Sequence, residues 1–92
     1  MIYWGYINMS EAKFQAKIIQ HLEKTGWYAI KVIKTNKNGI PDIVALKGDR
    51  SLFIEVKSKK GVTSPLQDFR IKEINNKGLE AIILREGEEI NI

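Results

Sequence analysis

Two acidic side chains and one lysine have the spacing of a small metal site. Asp42 follows Pro41, and Glu55 and Lys57 lie thirteen and fifteen positions further along the chain. Like charges that face each other across a pair of strands are destabilising, so two opposed carboxylates need a cation between them. A hard divalent metal held by one or two carboxylates and by water is a common way of binding magnesium for phosphate chemistry. Lys57 would then lie where it can orient a water molecule or help to deprotonate it.

The intervening residues predict the hairpin that sets these acids opposite each other. Ile43 to Leu46 and Leu52 to Val56 are short runs of strand-forming residues. They are separated by Lys47-Gly48-Asp49-Arg50, and Gly-Asp is a dipeptide typical of two-residue hairpin loops. That loop predicts a register in which Asp42 faces Glu55, with Cβ atoms roughly 4.5–5.5 Å apart. Because side chains alternate along strands, the two acids and the lysine share one face, and the opposite face is apolar.

The spacing alone leaves a second interpretation open. In it, the acids stand at an exposed hairpin end and are neutralised by Lys57, Lys59 and Lys60, without any metal.

The same residues carry a resemblance to a known family. Pro41-Asp42 and Glu55-Val56-Lys57 resemble the PD-(D/E)xK signature of restriction-endonuclease-like nucleases. Three further features are Gly39-Ile40 before this proline, Ser10-Glu11 opening a predicted helix, and Ser64-Pro65-Leu66-Gln67 opening a second one. In their order along the chain, these motifs resemble the small VRR-NUC (virus-type replication-repair nuclease) family over roughly residues 10 to 85. The PD and ExK elements alone are a weak pattern, but all the elements in order form a specific one.

The resemblance implies a role for each matching position. Asp42, Glu55 and the main-chain carbonyl of Val56 would bind Mg²⁺ or Mn²⁺, and Lys57 would be the catalytic lysine. Glu11 matches the acidic residue on the first helix that points into such sites, where it contributes to metal binding directly or through water. Gln67 matches the glutamine on the second helix.

Glu11 and Gln67 also have purely structural interpretations. Ser10 is a typical N-cap, and an acid in the first helical turn is favoured by the helix dipole in any protein. Glu11 nevertheless lies in phase with an apolar stripe that should face the sheet, formed by Phe14, Ile18 and Leu22. Ser64 to Gln67 has the pattern of a capping box with proline at the first helical position, so capping alone can explain the glutamine.

The implied activity is metal-dependent hydrolysis of phosphodiester bonds in DNA. The chain is too short to carry a separate recognition domain, and minimal members of the family resemble Holliday-junction resolvases. We therefore expect an endonuclease that acts as a homodimer on branched DNA. Three alternatives remain open at this point: a flap or general structure-dependent nuclease, a nuclease subunit that needs a partner, and a non-catalytic DNA-binding module.

Charge is concentrated around the predicted site. The net charge is +4, and the segment from residue 31 to residue 60 holds eight cationic residues against three acidic ones. Such a basic excess is what binding to a polyanion requires, although lysine-rich loops also serve solubility. The candidate DNA-binding residues are Lys34, Lys37, Asn38, Lys59 and Lys60.

Composition indicates an intracellular enzyme of one domain, residues 1–92. Hydrophobic residues make up 43% of the chain, which is enough for a single core. The absence of cysteine excludes disulfides, zinc–thiolate sites and thiol nucleophiles. No apolar run approaches the ~20 residues of a membrane span and no signal peptide is visible, so we expect no membrane association. The expected location is cytoplasmic, or within the host cell if the protein is virus-encoded.

The predicted fold is α/β, with a restriction-endonuclease-like core in the order αβββαβ and helices flanking a mixed central sheet. Besides the hairpin, whose second strand ends at Gly61, we expect helices at 11–24 and 65–76 and strands at 27–34, 80–84 and 88–92. Residues 1–9 form an apolar extension, for which four interpretations are open: packing against its own domain, an added strand, a dimer contact or residues from an expression vector. His21, the only histidine, is expected to be exposed on the first helix.

Overall fold

The elements follow one another in the predicted order. The structure, a computed structural model, describes residues 2–3 and 10–92. Its elements are β1 (Ile2–Tyr3), α1 (Glu11–Lys24), β2 (Tyr28–Lys31), β3 (Ile43–Lys47), β4 (Arg50–Lys57), α2 (Pro65–Asn76), β5 (Glu80–Arg85) and β6 (Glu89–Ile90). From α1 to β5 this is the order αβββαβ. No helix in this described part of the chain is long and apolar enough to cross a lipid bilayer.

Local signals set the ends of both helices. The Ser10 side chain accepts a hydrogen bond from the Lys13 N–H at 3.2 Å and caps α1. Ser64 and Gln67 form a reciprocal capping box at the start of α2. Each helix stops just before a glycine with positive φ, Gly26 at +93° and Gly78 at +82°, a conformation that glycine adopts without strain. The predicted bounds of both helices are confirmed.

The central hairpin has the predicted register. In the β3–β4 pair, Lys47 faces Arg50 and Ile43 faces Ile54. Gly48 opens the two-residue loop with φ +61°, as glycine does at the first position of a type II′ turn. One residue beyond Ile43 and Ile54, the same register places Asp42 opposite Glu55.

A mixed sheet forms the centre of the fold. The strand order is β2-β3-β4-β5, with antiparallel pairs except for the parallel β4–β5 pair. One face packs against α1 in a core that includes Phe14, Ile18, Leu22, Ile43, Ala45, Leu52, Ile54 and Val56. Helix α2 contacts β5. Because side chains alternate, the face opposite α1 carries Glu55 and Lys57.

The predicted N-terminal extension lies largely outside the described residues. Within it, Ile2–Tyr3 pairs antiparallel with Glu89–Ile90 as a separate two-stranded sheet. These two residues thus form a strand, which is one of the interpretations given above for the extension.

Three predicted strands are shorter than expected. The last one, expected at 88–92, spans only Glu89–Ile90, the two residues that pair with Ile2–Tyr3. Strand β2 ends at Lys31 rather than Lys34, because Lys31 pairs with Ile43, the first residue of β3. Beyond this pair the Val32 N–H still donates to the Asp42 carbonyl, but the chain then leaves the sheet as a loop. Strand β4 ends at Lys57 rather than Gly61, because the chain then turns and the Gly61 N–H donates to the Ser58 carbonyl at 3.1 Å.

The expectation that His21 is exposed was wrong. Its ring is half-buried, and Nε2 lies 3.0 Å from the carbonyl oxygen of Ile92. This contact joins residues 71 positions apart, so the sequence near His21 gives no sign of it.

Candidate active site

Asp42 is held at the point where β3 begins. Its main-chain carbonyl accepts a hydrogen bond from the Val32 N–H at 2.8 Å, which ties it to the end of β2. Its side-chain Oδ2 accepts from the Val56 N–H at 2.9 Å, which ties it to β4. The carboxylate is therefore fixed on the edge of β4 next to Glu55.

Pro41 gives the Val56 carbonyl an unusual environment. Continued by two residues, the hairpin register would pair Pro41 with Val56. In antiparallel strands, a hydrogen-bonded residue directs both its N–H and its C=O toward the same partner. The Val56 N–H donates to Asp42 instead, and proline has no N–H to offer to the Val56 carbonyl. This carbonyl thus faces the Asp42 side of β4, opposite a residue that has no donor for it.

Glu55 and Lys57 form a buried ion pair on the face opposite α1. Their relative exposures are 2% and 9%, and Lys57 Nζ lies 3.4 Å from Glu55 Oε2. Burial, and then the negative charge of Asp42, raises the pKa of Glu55 from 4.5 to about 7, although the Lys57 ammonium acts in the opposite direction. Two carboxylates therefore lie close to a single lysine, and one of them, Glu55, ionises less readily than an exposed glutamate.

Glu11 lies further along the same edge of β4. Its Oε1 accepts a hydrogen bond from the Ser58 N–H at 3.2 Å. The Ser58 and Val56 N–H groups belong to residues two positions apart, which is roughly 6.6 Å along an extended chain. Along this edge, the Asp42 carboxylate, the Val56 carbonyl and the Glu11 carboxylate follow one another. The side chain of Glu11 is exposed, so it approaches the site from the solvent side.

Gln67 combines the two interpretations that its sequence context left open. Its Oε1 accepts from the Ser64 N–H at 2.9 Å and completes the capping box. Its Nε2 donates to Glu55 Oε2 at 3.1 Å. One amide thus fixes the start of α2 and orients the buried carboxylate.

The donor set at this position fits a hard divalent cation. Asp42 and Glu55 supply carboxylate oxygens and Val56 a carbonyl oxygen. Among the described residues, no group of three or more His, Cys, Asp or Glu side chains is placed to hold a metal ion. Magnesium is commonly held in this way, by one or two carboxylates with water and substrate phosphate completing its octahedron. Zinc, which prefers four nitrogen or sulfur ligands in structural sites, fits less well.

Two arginines that the sequence analysis did not identify hold the surrounding loops. Arg85 donates through Nη1 to the Gly61 carbonyl and, at 3.4 Å, to the Ser58 carbonyl, so it fastens the turn that follows Lys57. Arg70 donates through Nε to the Asn38 carbonyl at 2.9 Å and ties α2 to the loop before Asp42. Arg85 faces Lys57 in the parallel β4–β5 pair. No local sequence pattern around Arg85 predicts this pairing.

Gly39 allows the loop before Asp42 to approach α2 closely. Its φ is +80°, and a Cβ at this position would lie 2.8 Å from Leu66 Cγ. A larger residue at this position would therefore force Leu66 to shift.

The predicted DNA-binding residues flank the site on two loops. Lys34, Lys37 and Asn38 line a surface groove of about 300 Å³, formed by residues 32–42 and including Asp42 in its wall. We refer to it as the Val32–Asp42 groove. Lys59 and Lys60 are exposed in the turn after Lys57. The two sets therefore adjoin the carboxylates from different sides.

Comparison with known proteins assigns the chain to a family. The family model of the VRR-NUC domain matches residues 1–86. This chain belongs to the VRR-NUC family. Two solved VRR-NUC domain structures superpose with TM-scores of 0.74 and 0.73 at 19% and 18% sequence identity. These matches cover 84% and 88% of this chain and 85% and 81% of the other chains. The predicted family and the α/β fold are confirmed.

The chain is also similar to two proteins that are not named as VRR-NUC domains. The structure of Hjc from Archaeoglobus fulgidus, a Holliday junction resolvase, superposes with a TM-score of 0.64 and 28% sequence identity. The match covers 80% of this VRR-NUC chain and 65% of the Hjc chain. A UPF0102 protein of Thermotoga neapolitana is 32% identical over 68 residues, which are 72% of this chain and 64% of that relative. The chain thus spans slightly less than two thirds of the length of each.

Proposed function

We propose that this protein is a divalent-metal-dependent nuclease that hydrolyses phosphodiester bonds in DNA. The observation that carries the proposal is the convergence of Asp42, Glu55 and Lys57 at the open end of one hairpin. Opposed carboxylates destabilise a strand pair, and a purely structural domain gains nothing from burying one of them beside a lysine. Membership of the VRR-NUC family supports the same chemistry.

Each residue of the site has a role in this proposal. Asp42, Glu55 and the Val56 carbonyl would hold Mg²⁺ or Mn²⁺, with Glu11 contributing directly or through a bound water. Glu11 Oε1 accepts a hydrogen bond from the Ser58 N–H, which places this carboxylate beside the site. When bound, the metal supplies a water of lowered pKa and stabilises negative charge on the phosphate. Gln67 keeps Glu55 Oε2 oriented toward the site through its amide hydrogen bond.

Lys57 is the residue that acts on the reacting atoms. In the absence of substrate, its ammonium lies 3.4 Å from Glu55 Oε2. If Glu55 held a metal ion, the Lys57 ammonium would no longer be needed to neutralise this carboxylate. Lys57 can then orient the attacking water and neutralise charge that develops on the phosphate in the transition state.

We further propose that the substrate is branched DNA and that the enzyme acts as a homodimer inside the cell, where such DNA occurs. The 28% identity to a Holliday junction resolvase supports this proposal. So does an apolar patch on the sheet face opposite α1, where Tyr28, Ile30 and Leu46 are exposed on adjacent strands. Apolar patches of this kind are typical of protein–protein contacts.

Cleavage of labelled DNA tests the proposal. A four-way junction, a flap and a fully paired duplex are incubated with the protein in Mg²⁺, in Mn²⁺ and in EDTA. Metal-dependent paired nicks at the junction are expected. Cutting of flaps or duplex alone would keep the nuclease and reject the junction as substrate. Binding without any cutting would instead identify a non-catalytic module or a subunit that needs a partner.

A further inference from the structure

An apolar side chain beside the site extends into solvent. Ile33 has a relative exposure of 86%, the highest of the large hydrophobic side chains that the structure describes. It lies just past the end of β2, on the loop that leads to Asp42, and it lines the Val32–Asp42 groove. This exposure leaves an apolar side chain next to the site available to contact a ligand.

The groove around Ile33 is polar and cationic elsewhere. Lys34 and Lys37 provide positive charge, and Asn38 contributes an amide that can donate and accept hydrogen bonds. Asp42 belongs both to the groove and to the carboxylate pair, so a ligand in the groove continues into the site. One apolar contact, flanking cations and one amide are the groups that would recognise a base together with its phosphates.

The groove is held in shape by hydrogen bonds within its loop and to its neighbours. The Thr35 hydroxyl donates to the Lys37 carbonyl at 2.6 Å and accepts from the Lys37 N–H at 3.1 Å. On the far side, Arg70 of α2 holds the Asn38 carbonyl. The loop thus presents Ile33 at a fixed position relative to Asp42.

We infer that the Val32–Asp42 groove holds an unpaired nucleotide next to the cleaved phosphate, with Ile33 against its base. The inference rests on the proposed nuclease function and narrows its substrate to DNA in which a nucleotide beside the scissile bond is unpaired. In a continuous duplex the bases are stacked and inaccessible, so Ile33 would meet only sugar and phosphate. An unpaired base offers an apolar face, and proteins use exposed isoleucines as wedges between base steps.

On the other side of the site, Val62 is a second exposed apolar side chain close to lysines, as Ile33 is. It is 80% exposed and follows Lys59 and Lys60 on the loop between Lys57 and α2. An apolar side chain beside lysines on both flanking loops is consistent with DNA whose strands separate at the site.

Binding of 2-aminopurine DNA in EDTA tests the inference without cleavage. Two 25-base-pair duplexes carry the fluorescent base either paired or as a single unpaired nucleotide, and both anisotropy and base fluorescence are followed. We expect the protein to bind the unpaired duplex roughly tenfold more tightly, with a change in base fluorescence, and Ile33→Ala to remove most of that preference. Leu79→Ala is the matched control, since Leu79 is also exposed but precedes β5 at the other end of the sheet.

The outcomes separate this inference from the proposed function. Equal affinity for the two duplexes, or an undiminished preference in Ile33→Ala with an unchanged circular dichroism spectrum, would overturn the inference. Cleavage in Mg²⁺ is then compared on the same duplexes. Equal cutting of both duplexes would support the proposed nuclease activity and reject the preference for an unpaired nucleotide. A preference in binding that depends on Ile33, without cutting of either duplex or of the four-way junction, would support the nucleotide-binding groove and reject the nuclease activity.

Discussion

Glu55 is a carboxylate that is buried and yet has to carry charge when a metal binds. Its burial and the nearby Asp42 raise its pKa to about 7. In the proposed metal site, protons and metal ions would therefore compete for the same oxygen atoms near neutral pH. Lys57 and Gln67 both contact Oε2 and hold this carboxylate in one orientation.

The raised pKa of Glu55 predicts opposite pH effects on metal affinity and on stability. Below pH 7 the carboxyl holds a proton that a metal must displace, so affinity for Mn²⁺ should rise between pH 5.5 and 8. Without metal, the folded state binds this proton more tightly than the unfolded state does. The free energy of unfolding should therefore fall as pH rises from 4.5 to 7, by at most about 3 kcal/mol.

Calorimetric titration with Mn²⁺ and urea unfolding at pH 5 and pH 8 measure the two effects. Glu55→Gln is the control, because it removes the titrating group and should flatten the stability profile. An equally steep profile in this variant would assign the pH dependence to other groups.

Replacing Lys57 by alanine should remove catalysis while leaving DNA affinity nearly unchanged. The lysine lies within the site and is 9% exposed, so it contributes little to the outer basic surface. We expect at least a hundredfold loss of cleavage rate, the lower range for loss of general acid–base or charge-stabilising groups. Gel-shift affinity in EDTA and single-turnover cleavage separate the two effects. Lys24→Ala, an exposed lysine in the last turn of α1, should leave both unchanged, whereas full activity in Lys57→Ala would reject its role.

Among the elements, those with local signals were predicted best. Helices α1 and α2 begin at capping serines and end before glycines, and the Gly48-Asp49 loop determines the hairpin register. Asp42, Glu55 and Lys57 are brought together by that register alone. Strand β2 was predicted too long because Val32 and Ile33 favour strands, whereas its real length depends on where β3 begins.

Contacts between distant segments could not be predicted. Arg85 reaches the turn after Lys57 because β5 lies parallel to β4, and the sequence does not specify which strands become neighbours. The same applies to His21 and the carbonyl of Ile92. The double use of Gln67 also needed the structure, since the capping box explains its sequence position completely.

Gln67 links the stability of α2 to the geometry of the site. In Gln67→Ala both contacts are lost, so unfolding free energy should fall by about 1 kcal/mol and cleavage should fall as well. Gln67→Glu keeps an acceptor for the Ser64 N–H and so keeps the capping box, but it removes the donor to Glu55 and adds a negative charge. Urea unfolding and cleavage rates distinguish the variants. If Gln67→Glu cleaves like the wild-type protein, the contact with Glu55 is not needed.

At the scale of the whole molecule, the sheet face opposite α1 carries an exposed apolar patch. Tyr28 is 71% exposed, and Ile30 and Leu46 lie close to it across β2 and β3. In the proposed homodimer, a second copy covers this patch and places a second set of carboxylates near the same DNA.

Tyr28→Asp should convert the proposed dimer into monomers without unfolding the chain, because Tyr28 contributes little to the core. Sedimentation equilibrium at micromolar concentration measures the change, and paired nicking of a junction should become single nicking. Leu79→Asp, at an exposed site away from the patch, is the control. A wild-type protein that is monomeric at this concentration contradicts the dimer, as does a Tyr28→Asp variant that still dimerises.

The short hairpin has a consequence for the order in which the chain folds. Asp42 and Glu55 meet by closing a loop of only thirteen residues, whereas β5 joins β4 after the whole of α2. Short loops lose less entropy on closing, so the two acids come together early, and their repulsion slows that step. A divalent cation should therefore accelerate refolding as well as retard unfolding. Refolding rates in Mg²⁺ and in Na⁺ at equal ionic strength measure this effect, and Asp42→Asn should abolish it. If Mg²⁺ changes only the unfolding rate, the carboxylates meet after the transition state.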